Sequence, residues 1–175
     1  MGYTQSELNE AQRNWNLRFP PDLVELLLEP RPLIGGRGSF DWVLSDPVKI
    51  QERLDWPLEG FWFDVEHNQV WWTEWGEKPE EISERHDRLK EIFLKAPKLI
   101  PLFANRYVPE EPFERNNPVF SVYQTDVIYY GASLLDWLDR ERLSPNVKAR
   151  PPIEDVKSIP FWSDAVARND SPPAE

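Results

Sequence analysis

The chain has 175 residues, 40% of them hydrophobic and 13% aromatic, which is enough for one domain with a buried core. Its 31 acidic and 20 basic side chains give a net charge of −11, which argues against nucleic acid as a direct ligand and favours a basic protein partner. An alternative interpretation is that the charge only keeps a cytosolic protein soluble. Because there is no cysteine, disulfides, thiolate catalysis and cysteine-based zinc sites are excluded.

Targeting signals are not evident in the sequence. The first ten residues lack a basic region followed by an apolar run, so we expect no signal peptide. No apolar run approaches the roughly 20 residues that span a bilayer, so we expect no membrane association and a cytoplasmic location. Nine Trp and nine Phe are more large rings than a small core usually holds, which predicts that some of them are exposed.

Two short helices are predicted near the amino terminus. Thr4 and Glu7 match a capping box, and the apolar spacing that follows predicts a helix over about 6–15. Pro21 is typical of the first turn of a second helix, which Pro30 ends.

The next segment is predicted to contain a loop, a strand and a small helix. The glycine-rich stretch 31–39 lacks the lysine and the following Ser or Thr of a phosphate-binding loop, and we interpret it as an ordinary loop. Residues 40–42 predict a short aromatic strand. Asp46 and Pro47 predict the start of a small helix, which Trp56-Pro57 ends.

Residues 61–75, FWFDVEHNQVWWTEW, predict a β-hairpin with its turn at His67 and Asn68. In that register one face of the hairpin carries Trp62, Asp64, Glu66 and Trp71. Both faces carry rings, so we expect one side to be covered and the other to be partly exposed.

A further helix is predicted to open at Pro79 and to end before Pro97, with Ile82, Leu89 and Phe93 facing inward.

The stretch 97–141 then predicts an apolar segment, a Pro-rich loop over 106–117, a β-hairpin and a helix. The hairpin is expected to turn at Gln124-Thr125, which places Phe120 opposite Tyr129 and Val122 opposite Val127 on one face. Ser133 is a candidate helix cap, with Leu134, Leu135 and Leu138 expected on one side of the helix that follows.

These elements predict a single α+β domain over residues 1–143, with helices around a mixed or antiparallel sheet. Residues 144–175 are Pro-rich and charged, and we interpret them as an acidic tail that is partly docked or disordered. Ile159, Phe161 and Trp162 could dock this tail onto the domain.

Catalytic, cofactor-binding and metal-binding residues are not indicated. Asp64, Glu66 and His67 are close in sequence but are better interpreted as a solvated hairpin tip than as a metal site. His86 lies among charged residues and is interpreted as a surface histidine. Adjacent acids such as Glu80 and Glu81 are typical of helix starts, so they do not indicate a catalytic pair. Since none of these groups indicates catalysis or ligand binding, we expect no enzyme and no cofactor.

Several segments, taken as an ordered set, resemble the SUKH superfamily, which contains the fungal Smi/Knr cell-wall assembly regulators and many bacterial immunity proteins. The segments are RFPPDLVELL, FDWVL, FWFDVEHNQVWWTEWG, APKLIPLFANRYVP, NNPVFSVYQTDVIYYGASLLDWLDRE and IPFW. The resemblance implies an α+β fold and a non-enzymatic binding protein, typically an immunity protein that neutralises a toxin, often a nuclease. A regulatory or scaffolding adaptor is the alternative, and a carboxylate-dependent hydrolase is a third.

The residues expected to contact a basic partner are acids and rings of the first hairpin and the long loop. Replacing Asp64 and Glu66 with Lys is expected to slow association more than it changes stability. The predicted contact residues are Trp62, Asp64, Glu66, Trp71, Tyr107, Glu110 and Glu111.

Overall fold

A computed structural model of the chain describes residues 2–30, 39, 41–142 and 156–170. Within these residues the chain forms six α-helices, one short 3₁₀ helix and one antiparallel sheet of four strands. The predicted α+β class is therefore confirmed. None of the described helices combines the length and the apolar character needed to cross a bilayer.

The sheet is a meander, in which each strand pairs with the next one along the chain. Its strands are β1 (Leu99–Phe103), β2 (Arg106–Pro109), β3 (Val119–Tyr123) and β4 (Asp126–Gly131). The helices are α1 (Gln5–Trp15), α2 (Pro21–Leu28), α3 (Pro47–His67), α4 (Ile82–Lys95), α5 (Leu134–Arg142) and α6 (Trp162–Asp170), with the 3₁₀ helix at Thr73–Trp75.

The amino-terminal helices begin where local signals predict. Thr4 Oγ1 accepts a hydrogen bond from the Glu7 amide at 3.3 Å, and the Glu7 carboxylate accepts one from the Thr4 amide at 2.7 Å. This reciprocal capping box fixes the start of α1. Pro21 occupies the first position of α2, where its missing N–H costs nothing.

The β3–β4 hairpin has the predicted register. Phe120 pairs with Tyr129 and Val122 with Val127, and all four side chains are buried. The cap of α5 is also confirmed, because Ser133 Oγ accepts a hydrogen bond at 3.2 Å from the backbone N–H of Asp136, the third residue of the helix.

Smaller side-chain and strand predictions are wrong in places. Leu135 and Ile82, expected inside, are exposed. The aromatic strand predicted at 40–42 is a turn at Trp42, whose ring is buried, and residue 40 lies outside the described residues. The Pro-rich loop begins later than expected, because its first four residues form β2. The glycine-rich loop lies outside the described residues except for Ser39.

The largest correction concerns residues 47–75. The helix that begins after Asp46 does not end at Pro57 but continues for 21 residues to His67, and the predicted hairpin over 61–75 does not form. Pro57 has no N–H to give to the carbonyl of Arg53, four residues earlier. Tyr107 of β2 supplies the missing donor, since its hydroxyl donates to Arg53 O at 2.9 Å. A contact from the sheet thus allows the helix to pass through a proline.

Each face of the sheet has its own core cluster. Successive strand residues alternate between the clusters, as Leu99 and Ile100 do in β1 and Tyr107 and Val108 in β2. Helices α1, α2 and α5 contribute to one cluster, together with Ile50 and Leu54 from the first half of α3. Helices α3, α4 and α6 contribute to the other cluster, which contains most of the large rings.

The carboxy-terminal segment 156–170 belongs to this second cluster. Ile159 and Trp162 are buried and Phe161 packs beside them, so the predicted docking through these three residues is confirmed. The predicted boundary at residue 143 falls outside the described residues.

The hydrogen bond from Tyr107 to α3 gives a first testable prediction. Tyr107→Phe keeps the ring but leaves the Arg53 carbonyl without a donor, so we expect the free energy of unfolding to fall by about 1–2 kcal/mol. Urea denaturation of the variant and of the parent chain measures this loss. Tyr123→Phe is the matched control, because the Tyr123 side chain is exposed, and it should change stability by less than about 0.5 kcal/mol.

Candidate interaction surface

The predicted contact residues Trp62, Asp64 and Glu66 lie on α3 rather than on a strand, so Trp62 and Glu66 lie on one side of the helix and Asp64 faces away from them. Trp62 is half-buried on the side that faces α4, with its ring 4.4 Å from that of His86. Glu66 is exposed, and its carboxylate lies 3.4 Å from the imidazole of His67. Only Glu66 of these three is fully available to a partner.

Asp64 is 5% exposed and has a structural role. Its Oδ2 accepts hydrogen bonds from the amide and the hydroxyl of Thr125, at 2.9 and 2.5 Å, and its Oδ1 accepts one from Asn68 Nδ2 at 2.6 Å. The carboxylate therefore holds the β3–β4 turn against α3. Asp64→Lys would place a lysine in this buried position without these hydrogen-bond partners, so we expect it to lower stability as well as the association rate.

The other predicted contact residues are dispersed. Trp71 is half-buried and donates its indole N–H to the carbonyl of Gly76 at 2.9 Å. Tyr107 is fully buried, and burial raises the pKa of its hydroxyl.

In the loop after β2, Glu110 is half-buried and Glu111 is exposed. Burial raises the pKa of the Glu110 carboxyl, although the Arg18 amide and the charge of Lys98 oppose this shift. The structure therefore does not bring the predicted residues together into one surface.

A different set of residues forms a continuous surface on the outer side of α3. Glu52, Trp56, Glu59, Phe63 and Glu66 follow one another at intervals of four or three residues, so they lie along one line of the helix. We call these five residues the α3 stripe. Trp56 and Phe63 are each 44% exposed, and the three acids are exposed as well. Rings and carboxylates alternate along this line.

The tip of the β3–β4 hairpin widens the stripe at Trp56. Tyr123 is 55% exposed, and its ring lies 6.4 Å from that of Trp56. The indole of Trp56 donates to the carbonyl of Val122 at 3.3 Å, which fixes the ring relative to β3. The close approach depends on Gly60, because a Cβ there would lie 3.0 Å from the Gln124 backbone.

The charges of the stripe are largely uncompensated. In the described part of the chain, Glu52 and Glu59 make no ion pair. The nearest cations along the helix are Lys49, one turn before the stripe, and Arg53, whose guanidinium donates to the carbonyl of Ala104. The surface therefore combines exposed carboxylates with two exposed rings, of which Trp56 is held in place by its hydrogen bond.

The spacing of rings and acids in the sequence indicates this stripe, but only if residues 61–67 are interpreted as part of a helix and not of a hairpin. Trp56 and Phe63 are seven residues apart, with an acid between them and an acid on each side. That spacing describes one helical face only if the helix continues through Pro57. A strand over 61–65 would place Phe61, Phe63 and Val65 on one face, whereas in α3 Phe61 and Val65 are buried and Phe63 is exposed.

Away from the stripe, the described part of the chain also forms two grooves. One of about 800 Å³ lies between the 3₁₀ helix, α4 and α6, and Arg168 at its edge pairs with Glu74 and stacks 4.9 Å from the Trp72 ring. The other, of about 620 Å³, lies between the end of α1, α3 and α4, with the exposed Leu94 in its wall. Among the described residues there is no group of three or more His, Cys, Asp or Glu side chains placed to hold a metal ion.

Comparisons of the chain with models of protein families, with curated proteins and with solved structures give no match. The resemblance to the SUKH superfamily therefore stays a prediction. The fold and the site define an acidic α+β domain with an exposed line of rings and carboxylates.

Proposed function

We propose that this protein is a non-enzymatic binding protein that neutralises a basic toxin domain, as the immunity proteins of the family that it resembles do. The observation that supports this proposal best is the α3 stripe with Tyr123, a ring-bearing acidic surface on a rigid helix. A nuclease is the expected kind of toxin, since its active site must attract phosphate and would also attract an acidic protein.

The exposed rings supply the binding energy in this proposal. Trp and Tyr are enriched among the residues that dominate protein interfaces, because they bury a large area at a small cost in side-chain entropy. Trp56 is already fixed by its hydrogen bond to Val122, so little further ordering is needed when a partner binds.

The carboxylates supply the selectivity for a basic partner. With a net charge of −11, the whole molecule attracts cationic proteins over distances comparable to the Debye length, and the stripe concentrates that charge at the contact. Complementary charge mainly raises the association rate and excludes acidic partners.

Co-expression tests the proposed function. A toxin encoded beside this chain should arrest growth when expressed alone, and co-expression of this protein should restore growth by forming a stable complex. The double variant Glu59→Lys/Glu66→Lys should slow association about tenfold or more at low salt. The control Glu10→Lys/Glu84→Lys changes the net charge equally at exposed positions on α1 and α4. Absence of rescue, together with absence of a complex with any neighbouring gene product, would contradict the proposal.

A further inference from the structure

We infer that the α3 stripe with Tyr123 binds a basic α-helix of its partner, through two cationic side chains seven residues apart. This inference rests on the proposed function, since it describes how the basic partner is recognised.

The spacing of the two rings sets the spacing of the cations. Trp56 and Phe63 are seven residues apart on α3, which places them about 10 Å apart along the helix axis at 1.5 Å per residue. Each ring has a carboxylate one turn before it and one turn after it: Glu52 and Glu59 beside Trp56, and Glu59 and Glu66 beside Phe63. The stripe therefore presents two units, each made of a ring between two acids. They differ in their neighbours, because the His67 ring lies 4.6 Å from that of Phe63 and 3.4 Å from the Glu66 carboxylate.

Each unit suits an arginine or a lysine. The aliphatic stem of such a side chain packs on a ring, its charged end is attracted to the face of the ring, and a neighbouring carboxylate accepts its hydrogen bonds. Arginine fits best, because its planar guanidinium can stack on the ring and bond a carboxylate at the same time. Tyr123 adds a second ring to the unit at Trp56.

Charge decides which class of partner can cover this surface. A second copy of the chain would bring another −11 charge against the same acids, and an anionic lipid surface or a nucleic acid would be repelled in the same way. A cationic protein segment is the occupant that the charges favour.

The backbone chemistry of α3 favours a helix over an extended segment. The main-chain groups in the middle of α3 are engaged within the helix, and the carbonyl freed by Pro57 is bonded to Tyr107, so the stripe offers no main-chain partner. An extended segment would leave its own N–H and C=O groups unpaired against the rings, whereas a helix satisfies them internally. Residues seven apart on a helix lie on one face about 10 Å apart, matching the two units.

Synthetic helical peptides test the inference on the full chain. One peptide carries two arginines seven residues apart, on one helical face; the other has the same composition with the arginines five apart, on nearly opposite faces. We expect the first to bind about tenfold more tightly at low salt, measured by NMR titration. Trp56→Ala/Phe63→Ala should remove this preference, and so should Glu59→Gln, an exposed substitution that does not threaten folding.

Phe113→Ala provides the control, because Phe113 is an equally exposed ring in the loop between β2 and β3. It should leave the preference unchanged. Equal binding of the two peptides, or a preference that survives in the double variant, overturns the inference. If a toxin is neutralised but the spacing preference is absent, only the inference fails. If the preference is present but no toxin is neutralised, the proposed function fails and the binding surface stands.

Discussion

Trp162→Ala is expected to lower the free energy of unfolding by about 4 kcal/mol, because it removes one of the largest buried side chains of the protein. The ring of Trp162 lies 5.7 Å from that of Phe93 and 6.2 Å from that of Phe61, so it joins α6 to α3 and α4. Its indole N–H donates to the carbonyl of Pro97 at 2.7 Å, and that carbonyl would lose its donor. Small domains are stable by only about 5–15 kcal/mol, so this loss is a large share of the total.

Denaturant unfolding followed by circular dichroism measures this effect without relying on the fluorescence of the removed ring. Trp56→Ala is the matched control, since it makes the same change at a half-exposed position and should cost only about 1 kcal/mol. A loss below about 1 kcal/mol for Trp162→Ala would mean that residues 156–170 are not an integral part of the folded domain.

Local sequence signals predicted well those elements whose causes are local. The capping box of Thr4 and Glu7 and the cap at Ser133 each depend on groups within a few residues, and both helices begin as expected. The β3–β4 hairpin was predictable from its alternating buried side chains, although Gln124 and Thr125 are a poor turn pair.

The predictions that the structure corrects fail because of contacts between residues that are distant in the sequence. Pro57 is an ordinary stop signal, and the group that cancels it is the hydroxyl of Tyr107, fifty residues later and on a different element. The turn at Gln124, whose φ of +56° is unfavourable for a side chain with a Cβ, is likewise secured from α3. Neither the Tyr107–Arg53 contact nor the Asp64–Thr125 contact can be predicted from the local sequence.

The wrong prediction that the helix ends at Pro57 also prevents the α3 stripe from being identified from the sequence. An exposed ring at Phe63 disturbs the helical pattern of buried residues, and such a disagreement is consistent with the proposed binding surface. The ring-bearing acidic surface stays a prediction, and the residues of the α3 stripe can be chosen only once α3 is known to be continuous. Glu66 is the one residue common to the predicted contact set and the α3 stripe.

The side of α3 that faces the β3–β4 turn has a structural role, and the outer side carries the α3 stripe. Asp64 and Gly60 face the β3–β4 turn and hold it close to the helix, and this contact places Tyr123 beside Trp56. The geometry of the proposed binding surface thus depends on a buried carboxylate that no partner would touch.

Asp64→Ala tests this dependence and is expected to lower the free energy of unfolding by about 3 kcal/mol. The substitution leaves the Thr125 amide and hydroxyl without their acceptor, and hydrogen bonds to a charged group contribute about 1.5–3 kcal/mol each. Glu66→Ala, which removes an exposed acid from the same helix, should change stability by less than about 0.5 kcal/mol.

Amide hydrogen exchange in Asp64→Ala locates the effect within the molecule. The Thr125 amide should exchange faster by a larger factor than the amides in the middle of α1, because the turn opens locally once its anchor on α3 is removed. The Asp64→Ala, Thr125→Ala and double variants form a thermodynamic cycle, in which a coupling of about 1 kcal/mol or more is expected for a direct contact. Additive losses in that cycle, with unchanged exchange at Thr125, would show that the turn holds its place without Asp64. The position of Tyr123 beside Trp56 would then need a different cause.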